Sequence, residues 1–199
     1  MLSKTEFRTF FKNALDSLSA SELRQQSRQV CEGVIRLIPV NANRVVAFFP
    51  TEKEVDIRPL LIQWLGQGVA IFLPYFDHKN SAYRFAQIYD LDRIEPGYLG
   101  MMEPLSKEAS FTVGEMKEIA QMWVVPGLGF NKLGQRMGRG KGFYDHFLSG
   151  SKGLKMGLCF NVQLTTHIFP KEPHDIDMDM VVSPDQTYVI RTTRNLNNF

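Results

Sequence analysis

The residues best suited to chemistry lie between Val125 and Asp145, where Gly127, Gly129, Gly134, Gly138, Gly140 and Gly142 are interleaved with Lys132, Arg136, Arg139 and Lys141. Six of the chain's 15 glycines sit in this one segment. Glycines let backbone N–H groups turn toward a common point, and a following helix adds partial positive charge, so the segment can cradle phosphate oxygens. Arg136, Arg139 and Lys141 add full charges, and charge-assisted hydrogen bonds favour a phosphate over a neutral ligand. A nucleotide triphosphate tail is the expected occupant. The alternative is a solvated basic turn whose glycines serve only conformation.

Of two familiar motifs, one is excluded and the other matches only in part. Gly140-Lys141 is followed by Gly142 rather than Ser or Thr, so the loop is not a Walker A motif, and a magnesium ligand must come from elsewhere. Arg139-Gly140-Lys141-Gly142-Phe143 half-matches an RNA-recognition signature. Its third position is Lys141, however, where that motif needs an aromatic to stack on a base.

The elements that must position this loop follow from hydrophobic spacing. Ser3 with Glu6 and Ser19 with Glu22 read as capping boxes opening two helices, the second carrying Leu23, Val30, Val34 and Leu37. Val45 to Phe49 reads as a buried strand. Ile57, Leu60, Leu61, Trp64 and Leu65 give a helix stopped at Gly66, and Val69 to Leu73 gives another buried strand. Strand, helix, strand is a βαβ unit and implies a parallel sheet. Tyr83 to Ile88 alternates like a half-exposed strand, and Leu91 to Ser110 reads as an irregular excursion. Met122 to Val125 is a buried strand that feeds the glycine-rich loop; Phe143 to Leu148 reads as a helix, Met156 to Phe160 as a strand, and Tyr188 to Arg191 as a last strand. The expected fold is α/β: a three-layer α/β/α sandwich with a mainly parallel central sheet in a single domain. The loop then lies beyond the carboxyl end of a strand, where such sheets bind ligands. Trp64 and the Phe10-Phe11 pair are expected in the core.

Composition sets the outer bounds. The 199 residues are 44% hydrophobic and 22% charged, an ordinary globular balance. A net charge of +2 gives no broad positive field, so no nucleic-acid partner is expected and any anion site is local. No apolar run has the length of a signal peptide or membrane span, so a cytoplasmic location without membrane attachment is expected. Cys31 and Cys159 show no metal-ligand spacing and are expected to be reduced core residues.

From Pro126 to Asp145 the chain resembles 5-formyltetrahydrofolate cyclo-ligases, also called 5,10-methenyltetrahydrofolate synthetases. Their hallmark is Pro-Gly-Leu-Gly-Phe-Asp followed by Gly-x-Arg-Leu-Gly-Arg-Gly-Lys-Gly-Tyr-Tyr-Asp. Weaker similarity runs from Lys4 and Arg8 through Phe49 and Glu54 to Asp175 and Asp179. Departures are Asn131 for Asp, Met137 for Leu and Phe143 for Tyr; Asn131 alone loses a charge, and if the family's carboxylate has a role, this protein does without it or has changed a local magnesium or substrate contact, a difference of tuning.

The resemblance implies that residues 1–199 form one ATP- and folate-binding domain. Its reaction is ATP-dependent cyclisation of a formylated folate, with magnesium as cofactor, small molecules as the only partners, and a monomer or weak homodimer as the assembly. It implies an ATP site at Lys4, Arg8, Gly134, Arg136, Gly138, Arg139, Gly140, Lys141 and Gly142. The folate would meet Phe49, Glu54, Arg139 and Tyr144, with Arg139, Lys141 and Tyr144 catalytic. Asp145 and Asp175 would hold the metal. On spacing alone, Lys4 and Arg8 share a helix face that could equally be solvated. Asp175, Asp177 and Asp179 alternate with apolar residues, which on a strand would put three carboxylates on one face, in need of a cation or of solvent. His174 reads as a surface or capping residue. Two rivals remain open at this stage: a sugar-phosphate-binding protein on a similar fold, and an RNA-binding module.

Overall fold

A computed structural model describes residues 2–37 and 42–190. Its frame is an eight-stranded sheet in the order β13-β12-β10-β7-β1-β2-β3-β6. The strands are β1 (Arg44–Val46), β2 (Ala70–Asp77), β3 (Ala82–Ile88), β6 (Ser110–Thr112), β7 (Met122–Val125), β10 (Leu154–Leu158), β12 (Met180–Val182) and β13 (Thr187–Val189). The five from β12 to β2 run parallel, while β13, β3 and β6 pair antiparallel at the edges. The expected mainly parallel sheet is present.

Strict alternation along the buried strands builds the layers. Val45, Ile71, Leu73, Met122, Val124, Met180 and Val182 face one core, while Val46, Phe72, Trp123, Val125 and Val181 face the other. Helices α1 (Lys4–Asp16), α2 (Ala20–Leu37) and α3 (Arg58–Gly66) cover the first face through Phe11, Val30, Val34, Leu60 and Trp64. Helices α4 (Val113–Ile119) and α5 (Phe143–Leu148) cover the second through Met116, Phe147 and Leu148. Both expected capping boxes form, Ser3 with Glu6 and Ser19 with Glu22, each side chain bonding the other residue's backbone N–H. Cys31 and Cys159 are free and buried.

Several expectations need correction. The first strand ends at Val46 rather than Phe49, because the chain peels away toward the sheet's carboxyl edge. The excursion from Leu91 to Ser110 contains a hairpin, β4 (Ile94–Pro96) with β5 (Met102–Pro104), linked by a short 3-10 turn at Tyr98–Gly100. The last strand ends at Val189, and Arg191 lies outside the described residues. Phe10 is 54% exposed because it sits on the outer face of α1, whereas Phe11 is fully buried. The acids after His174 lie on irregular backbone rather than a strand. Asp175, Asp177 and Asp179 pair with Lys4, Lys171 and Lys155 respectively. Three separate lysines thus relieve the repulsion that alternation implied.

The glycine-rich loop is itself folded into a hairpin, β8 (Gly129–Asn131) with β9 (Arg136–Met137), and β8 is flanked by β11 (Leu164–Thr165). Phe130, fully buried, wedges its ring against Gly127 and Gly157. A Cβ on Gly157 would sit 2.4 Å from that ring. Gly157→Ala is expected to destabilise the protein by about 1–3 kcal/mol through overpacking. A lowered urea midpoint with unchanged slope would register it. Gly114→Ala in α4, whose new Cβ would meet no atom closer than 3.9 Å, should leave the midpoint unchanged or raised.

Candidate active site

The chain leaves β1 toward β2 on one side of the sheet, then returns to β7 and continues to β10 on the other. The order therefore reverses between β1 and β7, and parallel sheets open a crevice at the carboxyl ends of such a strand pair. A cleft of about 720 Å³ lies there. The segment after β1 supplies Phe48, Phe49, Thr51 and Glu54; the segment after β7 supplies Pro126, Gly127 and Arg136 to Asp145. Lys4 and Arg8 reach in from α1, and Glu172, His174 and Asp175 close the far end.

Arg136 is the pivot of the loop wall. Its side chain is 5% exposed; one terminal nitrogen donates to Asp145 Oδ2 at 2.9 Å and the other to the Pro126 carbonyl at 3.4 Å. The guanidinium carbon stands 5.4 Å from the centre of the Tyr144 ring. Asp145 Oδ1 accepts the Ile176 N–H at 3.2 Å, tying the loop to the segment that carries Asp175. A Cβ on Gly138 would lie 3.0 Å from Arg136 Nη1, so the small residue there makes room for the guanidinium.

The remaining cations face the open cleft. Arg8 Nε donates to the Gly138 carbonyl at 3.0 Å, and Arg139 reaches Glu54 Oε1 at 3.3 Å across the cleft. The other Glu54 oxygen accepts the Thr51 N–H at 3.0 Å. Lys141 is exposed and makes no ion pair among the described residues. Gly140 and Gly142 sit at φ of 95° and 69°, left-handed backbone that a side chain would strain. Helix α5 spans six residues, so the partial charge at its start is small and the cations carry the loop's electrostatics. Burial, and then the Glu54 charge, push the Tyr144 phenol upward against the opposing Arg136 cation. The Tyr144 ring lines the cleft beside Arg136.

Lys4 Nζ contacts Asp175 at 2.7 Å and Glu172 at 2.6 Å. Glu172, His174 and Asp175 also bring one potential ligand atom each within 4.8 Å of one another. Asp145 and Asp175 offer hard oxygens on one cleft, bridged through Ile176. This suits magnesium, which takes one or two carboxylates and completes its shell with phosphate and water. Arg136 and Lys4 pair with those carboxylates.

Comparison with known proteins decides the lineage. The pattern of the 5-formyltetrahydrofolate cyclo-ligase family matches residues 1–184. The chain belongs to that family. The yeast protein named 5-formyltetrahydrofolate cyclo-ligase, from Saccharomyces cerevisiae, is 28% identical over 93% of this chain and 97% of its own length. The mouse protein of that name, from Mus musculus, is 28% identical over 92% of this chain and 94% of its own. Among solved structures, the Aquifex aeolicus 5,10-methenyltetrahydrofolate synthetase superposes with a TM-score of 0.80 at 27% identity, covering 96% of this chain and 95% of that one.

Against the cyclo-ligase hallmark, the structure sorts the expected residues. Lys4, Arg8, Phe49, Glu54, Arg136, Gly138 to Gly142, Tyr144, Asp145 and Asp175 all line the one cleft. Gly134 does not: it turns the β8–β9 hairpin at φ 85°, and a Cβ there would lie 2.5 Å from the Met178 carbonyl. Asn131 is buried behind the cleft, accepting the Leu133 and Gln135 N–H groups and donating to the His167 carbonyl. Asn131 thus anchors the β8–β9 turn and does not line the cleft. Arg139 to Phe143 line the cleft on a loop that runs into α5 rather than on a strand face. Sequence reasoning missed Leu99 to Met102, which form the cleft's other wall. The Gly97/Gly100 spacing beside two methionines was the available signal.

The Lys4–Asp175 pair has a pH signature. Burial alone would raise the Asp175 carboxyl, but the Lys4 ammonium and the Glu172 amide hold it below its ordinary 3.8. Burial would lower Lys4, and the same two acids hold it above 10.5. A lowered carboxyl stabilises the fold above its unfolded value and loses that contribution as pH falls; a raised ammonium loses its contribution as pH rises. Asp175→Asn should therefore cost stability across neutral pH. The deficit against the parent, read from urea unfolding, should shrink below about pH 4 and again above about pH 10.

Proposed function

We propose that this protein converts 5-formyltetrahydrofolate to 5,10-methenyltetrahydrofolate with cleavage of ATP to ADP and phosphate. One observation carries the reading most strongly. Arg139 of the phosphate-type loop meets Glu54, from the opposite wall, at 3.3 Å, so a cation suited to a phosphoryl group and an acceptor suited to a folate nitrogen share one cleft.

The chemistry explains why both are needed. The formyl group is an amide, resonance-stabilised, whose oxygen leaves poorly as hydroxide. Attack of the formyl oxygen on the γ-phosphorus forms a new P–O bond and breaks the bond to ADP. The side-arm nitrogen then attacks the formyl carbon, loses its hydrogen, and expels the oxygen as phosphate, leaving the cyclic methenyl cation. No covalent enzyme intermediate is required.

The chain's residues position the reactants and stabilise charge. Arg139 and Lys141, exposed on the loop, bind the phosphoryl oxygens on which charge spreads during transfer. Lys4 and Arg8 hold the rest of the triphosphate. Glu54 accepts the side-arm N–H, Phe49 gives apolar surface to the folate, and Tyr144 walls the reacting centre. Magnesium, held by Asp145 and Asp175 when bound, neutralises phosphate charge.

The direct test follows the absorbance of the methenyl product with folate, ATP and magnesium each omitted in turn; product formed without ATP would refute the mechanism. Arg139→Ala and Lys141→Ala are expected to lower kcat by about 10²–10³-fold, the cost of removing one preorganised donor. ATP affinity, measured by calorimetry, should weaken less than tenfold; equal losses in both would contradict the division of roles.

A further inference from the structure

Strand β1 is three residues long, while β2 runs for eight. Pairing between them stops where Ala47 N donates to the Phe72 carbonyl, so the edge of β2 from Pro74 onward is open. The β4–β5 hairpin lies on that open edge, and its turn carries Leu99, Gly100, Met101 and Met102 onto the cleft wall. One buried side chain hydrogen-bonds to both wall and sheet. Glu103 is 4% exposed, and its Oε1 accepts two backbone hydrogens, from Phe76 of β2 at 3.1 Å and from Tyr98 of the turn at 3.0 Å.

The surrounding residues fit that arrangement. Gly97 leaves empty the space that the Glu103 side chain fills: a Cβ there would fall 2.2 Å from Glu103 Cδ. Gly97 has a φ of −121°, outside the left-handed region, and the close approach of Glu103 is itself a reason for a glycine there. Phe76 and Tyr98 stack with ring centres 4.1 Å apart and planes 19° apart, directly beside the two amides. Leu99 holds a φ of 54°, an uncommon conformation for a leucine, which persists only where neighbours fix it. Glu103 itself does not line the cleft.

We infer that Glu103 is a positioning residue for the folate half of the site, locking the wall formed by Leu99 to Met102 against the edge of β2 through the Phe76 and Tyr98 amides. The inference rests on the cyclo-ligase reading of the cleft. A carboxylate oxygen shared by two amides sets the hairpin at one height above the sheet, so the wall meets a flat ring at a fixed distance from the loop cations. The ATP contacts at Lys4, Arg8 and the glycine-rich loop come from other segments, so the effect of losing the lock falls on one substrate.

The test uses Glu103→Ala, Glu103→Gln, Gly97→Ala and the double variant Gly97→Ala/Glu103→Ala in the full chain. Glu103→Ala is expected to raise KM for 5-formyltetrahydrofolate about tenfold or more while KM for ATP stays within about twofold. Amide hydrogen exchange at Phe76 and Tyr98 should accelerate in the same variant. Glu103→Gln keeps an acceptor oxygen and should restore both readouts. Gly97→Ala should reproduce the loss, and the double variant should be no worse than Glu103→Ala alone, because the clash partner is gone. A Glu103→Ala enzyme with unchanged folate KM overturns the inference. So does a Glu103→Gln enzyme as impaired as Glu103→Ala, or parallel rises in both KM values. Should the wild-type protein form no methenyl product, the functional reading fails instead, and unchanged exchange at Phe76 and Tyr98 in Glu103→Ala would separately overturn the lock.

Discussion

The cleft depends on one buried ion pair. Arg136 and Asp145 bring together the carbonyl that follows β7, the second strand of the loop hairpin, the first turn of α5 and, through Ile176, the segment bearing Asp175. A guanidinium this deeply buried needs its carboxylate, because removing one member leaves an uncompensated charge at a cost of about 3–5 kcal/mol. A lysine could not replace it, since the planar fork serves Asp145 and Pro126 at once. The loop's cations therefore divide: Arg136 builds the wall, while Arg139 and Lys141 remain exposed on it.

This division changes what the glycines mean. Their concentration suggests a phosphate cradle, and the fold itself gives each a reason. Gly127, Gly129 and Gly138 admit Phe130, Phe11 and Arg136, while Gly134, Gly140 and Gly142 hold left-handed backbone. Phosphate binding is thus served by a shape that packing also requires. The charges follow the same economy. Lys4, Arg136 and Arg139 are matched by Asp175, Asp145 and Glu54 respectively, which accords with a net charge of only +2. Under the proposed function, the triphosphate draws Lys4 and Arg139 from their acids, while the Arg136–Asp145 pair keeps the wall in place.

Much of this was legible in the sequence because the signals were local. Alternation at Val45-Val46, Ile71 to Leu73 and Met122 to Val125 fixes buried parallel strands, capping boxes fix two helix starts, and the hallmark from Pro126 to Asp145 points to the cleft. What was missed depends on partners distant in the chain. Alternating acids after His174 imitate a strand, and nothing nearby reveals that Lys4, Lys155 and Lys171 neutralise them one by one. Phe10 and Phe11 look alike until α1 turns one of them outward. The wall at Leu99 to Met102 sits in a stretch whose prolines and glycines suggest irregular loop, and its placement follows from β1 being shorter than β2. Asn131 reads as a lost ligand because its partner at His167 is 36 positions away.

The decisive measurement is amide hydrogen exchange on the Arg136→Met protein beside Arg139→Ala. Arg136→Met should speed exchange across Pro126 to Gly142 and at Ile176, whose N–H loses a fixed acceptor, while Arg139→Ala should leave those amides at the parent rates. An Arg136→Met protein that keeps the Ile176 amide and the loop fully protected, and merely binds ATP less well, would show that Arg136 is an ordinary ligand contact and not the pivot of the site.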